Sequence, residues 1–291
     1  MKIKVRAYAK LNLFLDITGR LPGGRHSLNI ATQSVDIYDD ITVSVMSTDS
    51  FDCRITCNNP DIPCDEKNIV WKAAKAFFDA TGLAAEIAVD IEKHVPLMGG
   101  MGGSSVDGAG MLVALNELFG KKLDSEALCA VGDKIGADVP LCIKGGTLYS
   151  ITSGDMIAAE CDTNCGFVCI YPDFTLSTAE AYAKYDENPT EINPHYADFV
   201  SGIVCGSLSE GAGFISNVFT EIYHDSRIEE MKTDLLESGA VISEMTGSGS
   251  VVFGVFESEE TAVDAKNILS GKYPHVFTTR PVNCGVYVLE R

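Results

Sequence analysis

The sequence predicts an α+β fold arranged as two domains. Segments that alternate apolar and polar residues, as half-buried strands do, are mixed with segments of helical periodicity, without the strict βαβ repetition of a parallel-sheet protein. A chain of 291 residues fits one large domain or, better, two modest ones. The strand pattern begins again past residue 160, so we place the two domains at residues 1–157 and 158–291.

The predicted first strand carries polar side chains on one of its faces. Over residues 3–17, Leu11 and Leu13 point to one side, whereas Lys10 and Asn12 point to the other. Lys10 and Asn12 can therefore reach one cavity. Further elements are predicted in the rest of the first half of the chain. In chain order they are a turn at 21–24, a strand over 41–45, a helix over 69–78 capped by Asp65, a strand over 87–91, a helix that ends near 119, a helix over 125–134 and a strand over 141–143.

The second half of the chain also predicts a mixture of strands and helices. A polar segment rich in Asp, Glu, Asn and Pro, over residues 184–198, is typical of a surface loop. The other predicted elements are a strand over 166–171, helices over 198–237, a strand over 251–256, a helix over 258–270 and strands over 275–289.

The charge balance excludes several classes of partner. The 22 basic and 41 acidic residues give a net charge of −19, and a field of that sign repels phosphate backbones and anionic lipid. We therefore expect neither a nucleic acid nor a membrane as partner. No apolar run approaches 18 residues, and the alternating N-terminus lacks the apolar core of a signal peptide, so we expect a cytoplasmic protein.

The ten cysteines predict reduced thiols rather than a disulfide framework, because the chain is long and shows no export signal. Cys161, Cys165 and Cys169 recur every four residues, which raises the alternative of a metal site. Zinc sites are built from CxxC pairs or nearby histidines, and the sequence places neither here. Buried small apolar residues are the favoured interpretation.

A glycine-rich loop between a predicted strand and a predicted helix carries the clearest functional signal. Glycines let backbone N–H groups approach a phosphate, and the helix N-terminus adds a partial positive charge. The spacing fits neither the GxxxxGK[ST] nor the GxGxxG pattern, and the alternative is a structural glycine turn. The loop comprises Pro96, Leu97, Met98, Gly99, Gly100, Met101, Gly102, Gly103, Ser104, Ser105 and Val106.

A second loop of glycine and serine lies far along the chain. Residues 245–250 read Met-Thr-Gly-Ser-Gly-Ser and precede the apolar strand VVFGVF. One interpretation is a hairpin or the entry to a β-bulge. The other is a second loop that closes over the glycine-rich one.

Several blocks in order resemble the GHMP kinase superfamily. They are AKLNLFLDI, PLMGGMGGSSVDGA, GADVP and MTGSGSVVFGVF, and the resemblance extends over almost the whole chain. Within the superfamily, the sequence most resembles the kinases of non-mevalonate isoprenoid biosynthesis, which act on a polyol linked to cytidine diphosphate. Three features carry this resemblance: the histidine at 26, the helix led by Asn68 and the segment PDFTLSTAEAY. The resemblance implies an N-terminal domain like domain 2 of ribosomal protein S5 and a ferredoxin-like C-terminal domain.

The resemblance also implies the catalytic pair and the ATP site. Lys10 of AKLN and Asp138 of GADVP match the catalytic pair: a carboxylate accepts the proton of an alcohol, and a cation keeps it ionised. Residues 96–106 match the phosphate loop, and Asn68 and Lys93 match positions near the adenine or ribose. The reaction implies Mg²⁺ as well as ATP, with Ser105 as the candidate protein ligand.

Five residues match positions in the acceptor site. His26 matches a histidine that binds cytosine, Arg25 replaces a tyrosine that often stacks on the base, and a guanidinium can also stack on a base or grip a diphosphate. Asn12, Gly247 and Ser248 complete the expected substrate contacts. In the family the paired serines usually stand one place later, and here Val106 fills the second serine position.

The expected activity is transfer of the γ-phosphoryl group of ATP to the 2-hydroxyl of such a cytidyl-linked polyol, a small-molecule substrate. One alternative is another GHMP kinase with a mevalonate-, homoserine- or sugar-type acceptor. A second alternative is a catalytically silent binding protein of the same fold, which the presence of both Lys10 and Asp138 argues against.

Overall fold

The computed structural model describes residues 1–160 and 163–291, which form twelve strands and ten helices. The strands are β1 (Lys2–Arg20), β2 (His26–Ser47), β3 (Asp52–Cys57), β4 (Glu86–Glu92), β5 (Thr147–Ser150), β6 (Met156–Ala158), β7 (Gly166–Ile170), β8 (Ser216–Asn217), β9 (Ile242–Met245), β10 (Val252–Phe256), β11 (Val276–Thr279) and β12 (Val286–Glu290). The helices are α1 (Ile69–Thr81), α2 (Gly103–Leu118), α3 (Ser125–Asp133), α4 (Val139–Lys144), α5 (Thr178–Glu187), α6 (Tyr196–Cys205), α7 (Leu208–Ala212), α8 (Val218–Tyr223), α9 (Ser226–Glu237) and α10 (Glu259–Leu269). None of these helices is long and apolar enough to cross a membrane.

The first sheet is built around the two longest strands. Its main order is β12-β1-β2-β4-β3, and β5, β6 and β8 attach at its sides. The register between β1 and β2 shifts between Asn12 and Phe14. Phe14, which strand alternation puts on the same face as Lys10 and Asn12, is fully buried. Tyr196 and Phe199 of α6 pack against it, at ring-centroid distances of 4.9 and 5.7 Å. The middle of β1 is therefore covered on both faces.

The second sheet is smaller and fully antiparallel. Its order is β11-β7-β10-β9, and along the chain its strands and the helices α9 and α10 follow the split βαβ pattern of a ferredoxin-like unit. Cys169 of β7 is fully buried between its neighbours, as expected for a small apolar residue. Cys161 lies outside the described residues.

The α+β class predicted from the sequence is confirmed, and each half of the chain has a sheet of its own. The boundary at residue 158 stays a prediction. Strand β6 reaches across it to pair with β5, and the last strand, β12, returns to pair with β1. The final residues of the chain therefore belong to the first sheet.

Two local predictions were wrong. Helix α1 is capped by Asn68, whose side chain accepts the N–H of Val70 at 2.8 Å, and not by Asp65. The segment predicted as a strand over 141–143 is helix α4, and Asp138 before it has helical φ and ψ of −85° and −10° rather than an extended conformation. Pro140 lies in the first turn of α4, where a missing N–H leaves no hydrogen bond unmade, so proline is compatible with a helix there.

Candidate active site

A cavity of about 620 Å³ opens where the two halves of the chain meet, a volume typical of small-molecule sites. Strands β1 and β2, the glycine-rich loop, the start of α4, the start of α5 and the second loop all contribute to its wall. The lining residues are Lys10, Asn12, Leu15, Leu28, Ile30, Pro96, Leu97, Met98, Gly99, Gly100, Gly102, Gly103, Ser104, Ser105, Ala137, Asp138, Leu176, Ser177, Thr178, Ala179, Tyr182, Phe219, Gly247, Ser248 and Gly249.

The glycine-rich loop and the first residues of α2 line this cavity. The loop leads directly into the 16-residue helix α2, whose first-turn N–H groups have no partner within the helix. Gly100 and Gly102 adopt left-handed φ values of +78° and +79°, which residues with a Cβ rarely adopt. Gly102 is also the N-cap and has no side chain that could occupy the N–H groups. The arrangement is that of an anion cradle.

The second loop lies directly against the first. A Cβ on Gly100 would lie 2.0 Å from the carbonyl oxygen of Thr246, and a Cβ on Gly247 would lie 2.7 Å from the carbonyl oxygen of Gly100. The hydroxyl of Thr246 accepts the backbone N–H of Asn12 at 2.9 Å and donates to the carbonyl of Gly100 at 3.4 Å. The two glycine loops, separated by about half of the chain, thus form one unit with β1.

Lys10 and Asp138 meet at the floor of the cavity. The Lys10 ammonium lies 3.6 Å from the Asp138 carboxylate, and it donates to the side-chain oxygen of Asn12 and, at 3.0 Å, to the carbonyl of Gly100. The Lys10 side chain is only 7% exposed, whereas that of Asp138 is 37% exposed. Lys10 is therefore fixed by three groups, and the carboxylate remains accessible to a molecule in the cavity.

Ser104 and Ser105 provide the hydroxyl groups at the start of α2, and both line the cavity. Val106, which stands where the family usually has its second serine, is fully buried in the core. The shift of the serine pair by one position thus leaves both hydroxyl groups in the first turn of α2 at the cavity wall.

The structure does not bring every predicted site residue to the cavity wall. Asn68 is buried, and its amide also donates to the carbonyl of Pro63 at 2.7 Å. The Lys93 side chain is 3% exposed and points into the protein behind the glycine-rich loop. Arg25 is exposed and pairs with Asp133 at 3.0 Å. The side chains of Asn68, Lys93 and Arg25 therefore make their contacts outside the cavity.

His26 lies one layer behind the wall. Its ring stacks on Tyr182 with a centroid distance of 4.7 Å and an interplanar angle of 24°, and its Nε2 lies 2.9 Å from a carboxylate oxygen of Asp186. Tyr182 itself lines the cavity, and burial raises the pKa of its hydroxyl to about 12. The structure therefore places an aromatic residue on the cavity wall, with His26 stacked on it from behind.

Sequence reasoning missed several lining residues. Thr178 lies on the wall and shares a hydrogen bond of 2.7 Å with Ser248, which joins α5 to the second loop. Its position in the segment LSTAEAY was the available signal. An apolar wall formed by Leu15, Leu28, Ile30 and Phe219 was not predictable, since it depends on the pairing register of β1 and β2 and on the packing of α8 against them.

Comparison with known proteins agrees with this geometry. The family model for the GHMP kinases N terminal domain matches residues 68–146, and that for the GHMP kinases C terminal region matches residues 220–275. A relative from Clostridium perfringens is 34% identical over 290 residues, covering 97% of this chain and 99% of its own. A relative from Caldanaerobacter subterraneus is 32% identical over 291 residues, covering 99% and 100%. Both relatives are named 4-diphosphocytidyl-2-C-methyl-D-erythritol kinase.

Solved structures show the same fold. A 4-(cytidine 5'-diphospho)-2C-methyl-D-erythritol kinase aligns with a TM-score of 0.77 at 23% identity, covering 97% of this chain and all of its own. A homoserine kinase from Cytophaga hutchinsonii aligns with a TM-score of 0.79 at 21% identity, covering 99% and 97%. The fold, shared by kinases with different acceptors, is that of a GHMP kinase. By its full-length relatives, the chain belongs to the 4-diphosphocytidyl-2-C-methyl-D-erythritol kinase family of GHMP kinases.

Proposed function

We propose that this chain transfers the γ-phosphoryl group of ATP to the 2-hydroxyl of 4-diphosphocytidyl-2-C-methyl-D-erythritol. The observation that carries the proposal is the Lys10–Asp138 pair, 3.6 Å apart, in the same cavity as the N-terminus of α2. An accessible carboxylate beside an anion cradle is the arrangement that a kinase acting on an alcohol requires. The acceptor is taken from the names of the full-length relatives.

The glycine-rich loop would hold the phosphates of ATP. The backbone N–H groups at the start of α2 and the Lys10 ammonium favour anionic oxygens. The absence of a Cβ at Gly100 lets the loop lie against Thr246, and its absence at Gly102 lets the loop lie against Lys10. Only Lys10 and Asp138 are charged among the described residues that line the cavity. We assign the lining residues of the loop, Pro96–Gly100 and Gly102–Ser105, to nucleotide binding. Contacts from Met101 and Val106, which are buried, and from Asn68 or Lys93 stay predictions.

Mg²⁺ fits the same end of the cavity. The hydroxyl groups of Ser104 and Ser105 supply oxygen atoms, the ligands that Mg²⁺ prefers alongside substrate phosphates. When bound, the ion would neutralise charge on the transferring phosphoryl group. Ser105 remains our candidate for a direct protein ligand.

Asp138 would act as the base. Its carboxylate would accept the hydroxyl proton as the acceptor oxygen attacks, while Lys10, fixed by Asn12 and the carbonyl of Gly100, would hold that carboxylate in position. Because Lys10 also contacts the glycine-rich loop, it couples the position of the base to that of the phosphates. The pair therefore sets both proton transfer and alignment.

The cytidine end of the acceptor would lie toward Tyr182. An aromatic ring on the wall can stack on a base. His26 lies behind Tyr182, with its Nε2 at Asp186, so a contact between its ring nitrogens and a cytosine edge stays a prediction. Arg25 pairs with Asp133 outside the cavity, so a contact between its guanidinium and the diphosphate stays a prediction. Gly247 and Ser248 would complete the wall next to α5, with Asn12 near the reacting hydroxyl.

The test is ADP release with Mg-ATP in a coupled assay over an acceptor panel of the cytidyl methylerythritol, mevalonate, homoserine and galactose, with a control lacking acceptor. We expect turnover with the cytidyl compound only. Turnover with a different acceptor would reject our acceptor assignment, and no turnover with any of them, despite ATP binding, would favour a silent binding protein.

The base is tested by Asp138→Asn, with Asp79→Asn as matched control. Asp79 is an exposed carboxylate that pairs with Lys75 on α1 and does not line the cavity. We expect Asp138→Asn to lower kcat by about 10²- to 10⁴-fold, while the Kd of ATP stays within about threefold, and Asp79→Asn to leave both unchanged. An Asp138→Asn enzyme with normal kcat would refute the assignment.

A further inference from the structure

Three charged side chains lie buried behind the glycine-rich loop. The Lys93 ammonium lies 2.5 Å from Asp39 and 2.8 Å from Asp107, and the three side chains are 3%, 0% and 5% exposed. Lys93 also donates to the backbone carbonyl of Gly103 at 3.0 Å. We call Asp39, Lys93 and Asp107 the buried charge cluster. None of the three lines the cavity.

The buried charge cluster contacts the chain on both sides of the loop. On the side that enters the loop, Asp39 accepts the backbone N–H groups of His94 and Val95 at 2.6 and 2.9 Å. On the side that leaves it, Lys93 binds Gly103 and Asp107 in the first two turns of α2. The ends of the loop are thus joined through one set of charge-assisted hydrogen bonds.

Stability alone does not account for this arrangement. Removing charged groups from water is costly, and apolar residues of similar volume usually stabilise a protein as well as a buried ion pair or better. One oxygen of Asp107, Oδ1, is buried and has no hydrogen-bond partner among the described residues, which adds to that cost. A cluster that contributes little to stability but fixes two backbone segments is better suited to positioning them.

We propose that Asp39, Lys93 and Asp107 are positioning residues that fix the spacing of the two ends of the glycine-rich loop and so determine ATP affinity without touching the nucleotide. The inference rests on the proposed function insofar as ATP is the ligand of this loop. It reassigns Lys93 from a nucleotide contact to a support of the cradle. Since backbone N–H groups bind phosphate only in the correct geometry, a small change in spacing weakens binding.

The test uses Lys93→Met, the double variant Asp39→Asn/Lys93→Met, and Lys4→Met as matched control. Met keeps much of the lysine stem but cannot bridge to Gly103. The double variant removes both charges of the Asp39–Lys93 pair, so it leaves neither of these two charges buried without its partner. Any loss of ATP affinity that remains in it then reports the loss of positioning. Lys4 pairs with Asp40 and Glu92, the chain neighbours of Asp39 and Lys93, without touching the loop.

The measurements are the Kd of Mg-ATP by direct titration and the thermal midpoint. We expect Lys93→Met to be less stable and to bind ATP at least about tenfold more weakly. The double variant should recover most of the thermal midpoint but not the affinity, and Lys4→Met should bind ATP as the wild type does. Affinity that recovers together with stability, or a Kd for Lys93→Met within twofold of wild type, would overturn the inference. If Lys93→Met does not fold, the double variant decides alone.

Amine labelling distinguishes positioning from direct contact. In the wild-type protein we expect the Lys93 amine to resist acylation equally with and without Mg-ATP, because it is buried in both states. Labelling of Lys93 in the free protein that ATP suppresses would show a direct ligand and refute the inference. The titration needs no acceptor, so ATP binding without turnover on any acceptor would reject the proposed function alone.

Discussion

Replacing Gly100 by alanine tests the contact between the two glycine loops. Gly100 has a left-handed φ of +78°, and a Cβ there would lie 2.0 Å from the carbonyl oxygen of Thr246. Its own carbonyl accepts the Lys10 ammonium at 3.0 Å. A methyl group at this position therefore pushes the loops apart and moves an acceptor of Lys10.

Two separate costs follow from the geometry. The left-handed conformation costs an alanine about 1–2 kcal/mol. A carbon and an oxygen normally lie at least about 3.3 Å apart, so the overlap at 2.0 Å requires a displacement of about 1.3 Å between Gly100 and Thr246. A misplacement of about 1 Å near a reacting centre can cost about 10²-fold in rate. We expect kcat/KM to fall by about 10²-fold or more.

Gly120→Ala provides the matched control. Gly120 has the same φ of +78°, but a Cβ there would meet nothing within 4 Å. Both variants carry the conformational cost, and only Gly100→Ala carries the overlap. Urea unfolding would measure the conformational cost. The coupled ADP assay, together with titration of ATP, would measure the effect of the overlap. Equal destabilisation of the two variants together with wild-type kinetics for Gly100→Ala would refute the close approach of the loops.

Two further predictions concern buried polar groups of the site. Thr246→Val should lower the free energy of unfolding by about 1–3 kcal/mol, because it leaves the buried N–H of Asn12 without the acceptor at 2.9 Å; a urea midpoint equal to that of the wild type would contradict this. Burial raises the pKa of Asp107 to about 8 despite the adjacent Lys93. The unfolded chain loses this proton near its ordinary pKa of about 3.9, so stability falls as pH rises from there to about 8. Between pH 5 and pH 8 the free energy of unfolding of Asp107→Asn should therefore rise relative to that of the wild type, by at most about 1.4 kcal/mol per pH unit. Plots of the free energy of unfolding in urea against pH that run parallel for the two proteins would rule this out.

Much of the fold was predictable because local patterns agree with the final structure. The alternation of residues 3–17 lies within β1, and the glycine-rich loop precedes α2 as its composition indicates. The prediction failed where two local rules compete. Residues 141–143 are apolar, and Pro140 suggests an extended exit, yet proline is equally favourable in the first turn of a helix, and the chain forms α4.

The site was predictable in its motifs but not in its partners. The loop, Lys10 and Asp138 carry signals in their neighbouring residues, and the structure brings them together in one cavity. The side-chain direction of Lys93 depends on Asp39, 54 positions earlier, and on the way α2 packs behind the loop. Long-range pairing of this kind leaves no periodic trace in the sequence, so the same lysine could be assigned to the nucleotide from its position alone.

The charge distribution explains how an acidic chain can bind a polyanion. The net charge of −19 opposes the approach of ATP, and Lys93 is buried against the carboxyl groups of Asp39 and Asp107. At the cavity wall, attraction must therefore come from Lys10 and from backbone dipoles at the start of α2, which act only over short distances. Dipoles that act at short range are effective only when they are held in place. The tight contact of the two glycine loops and the buried charge cluster both hold these backbone dipoles in place. In this protein the geometry of the loop therefore provides the attraction for phosphate that a basic surface provides in others.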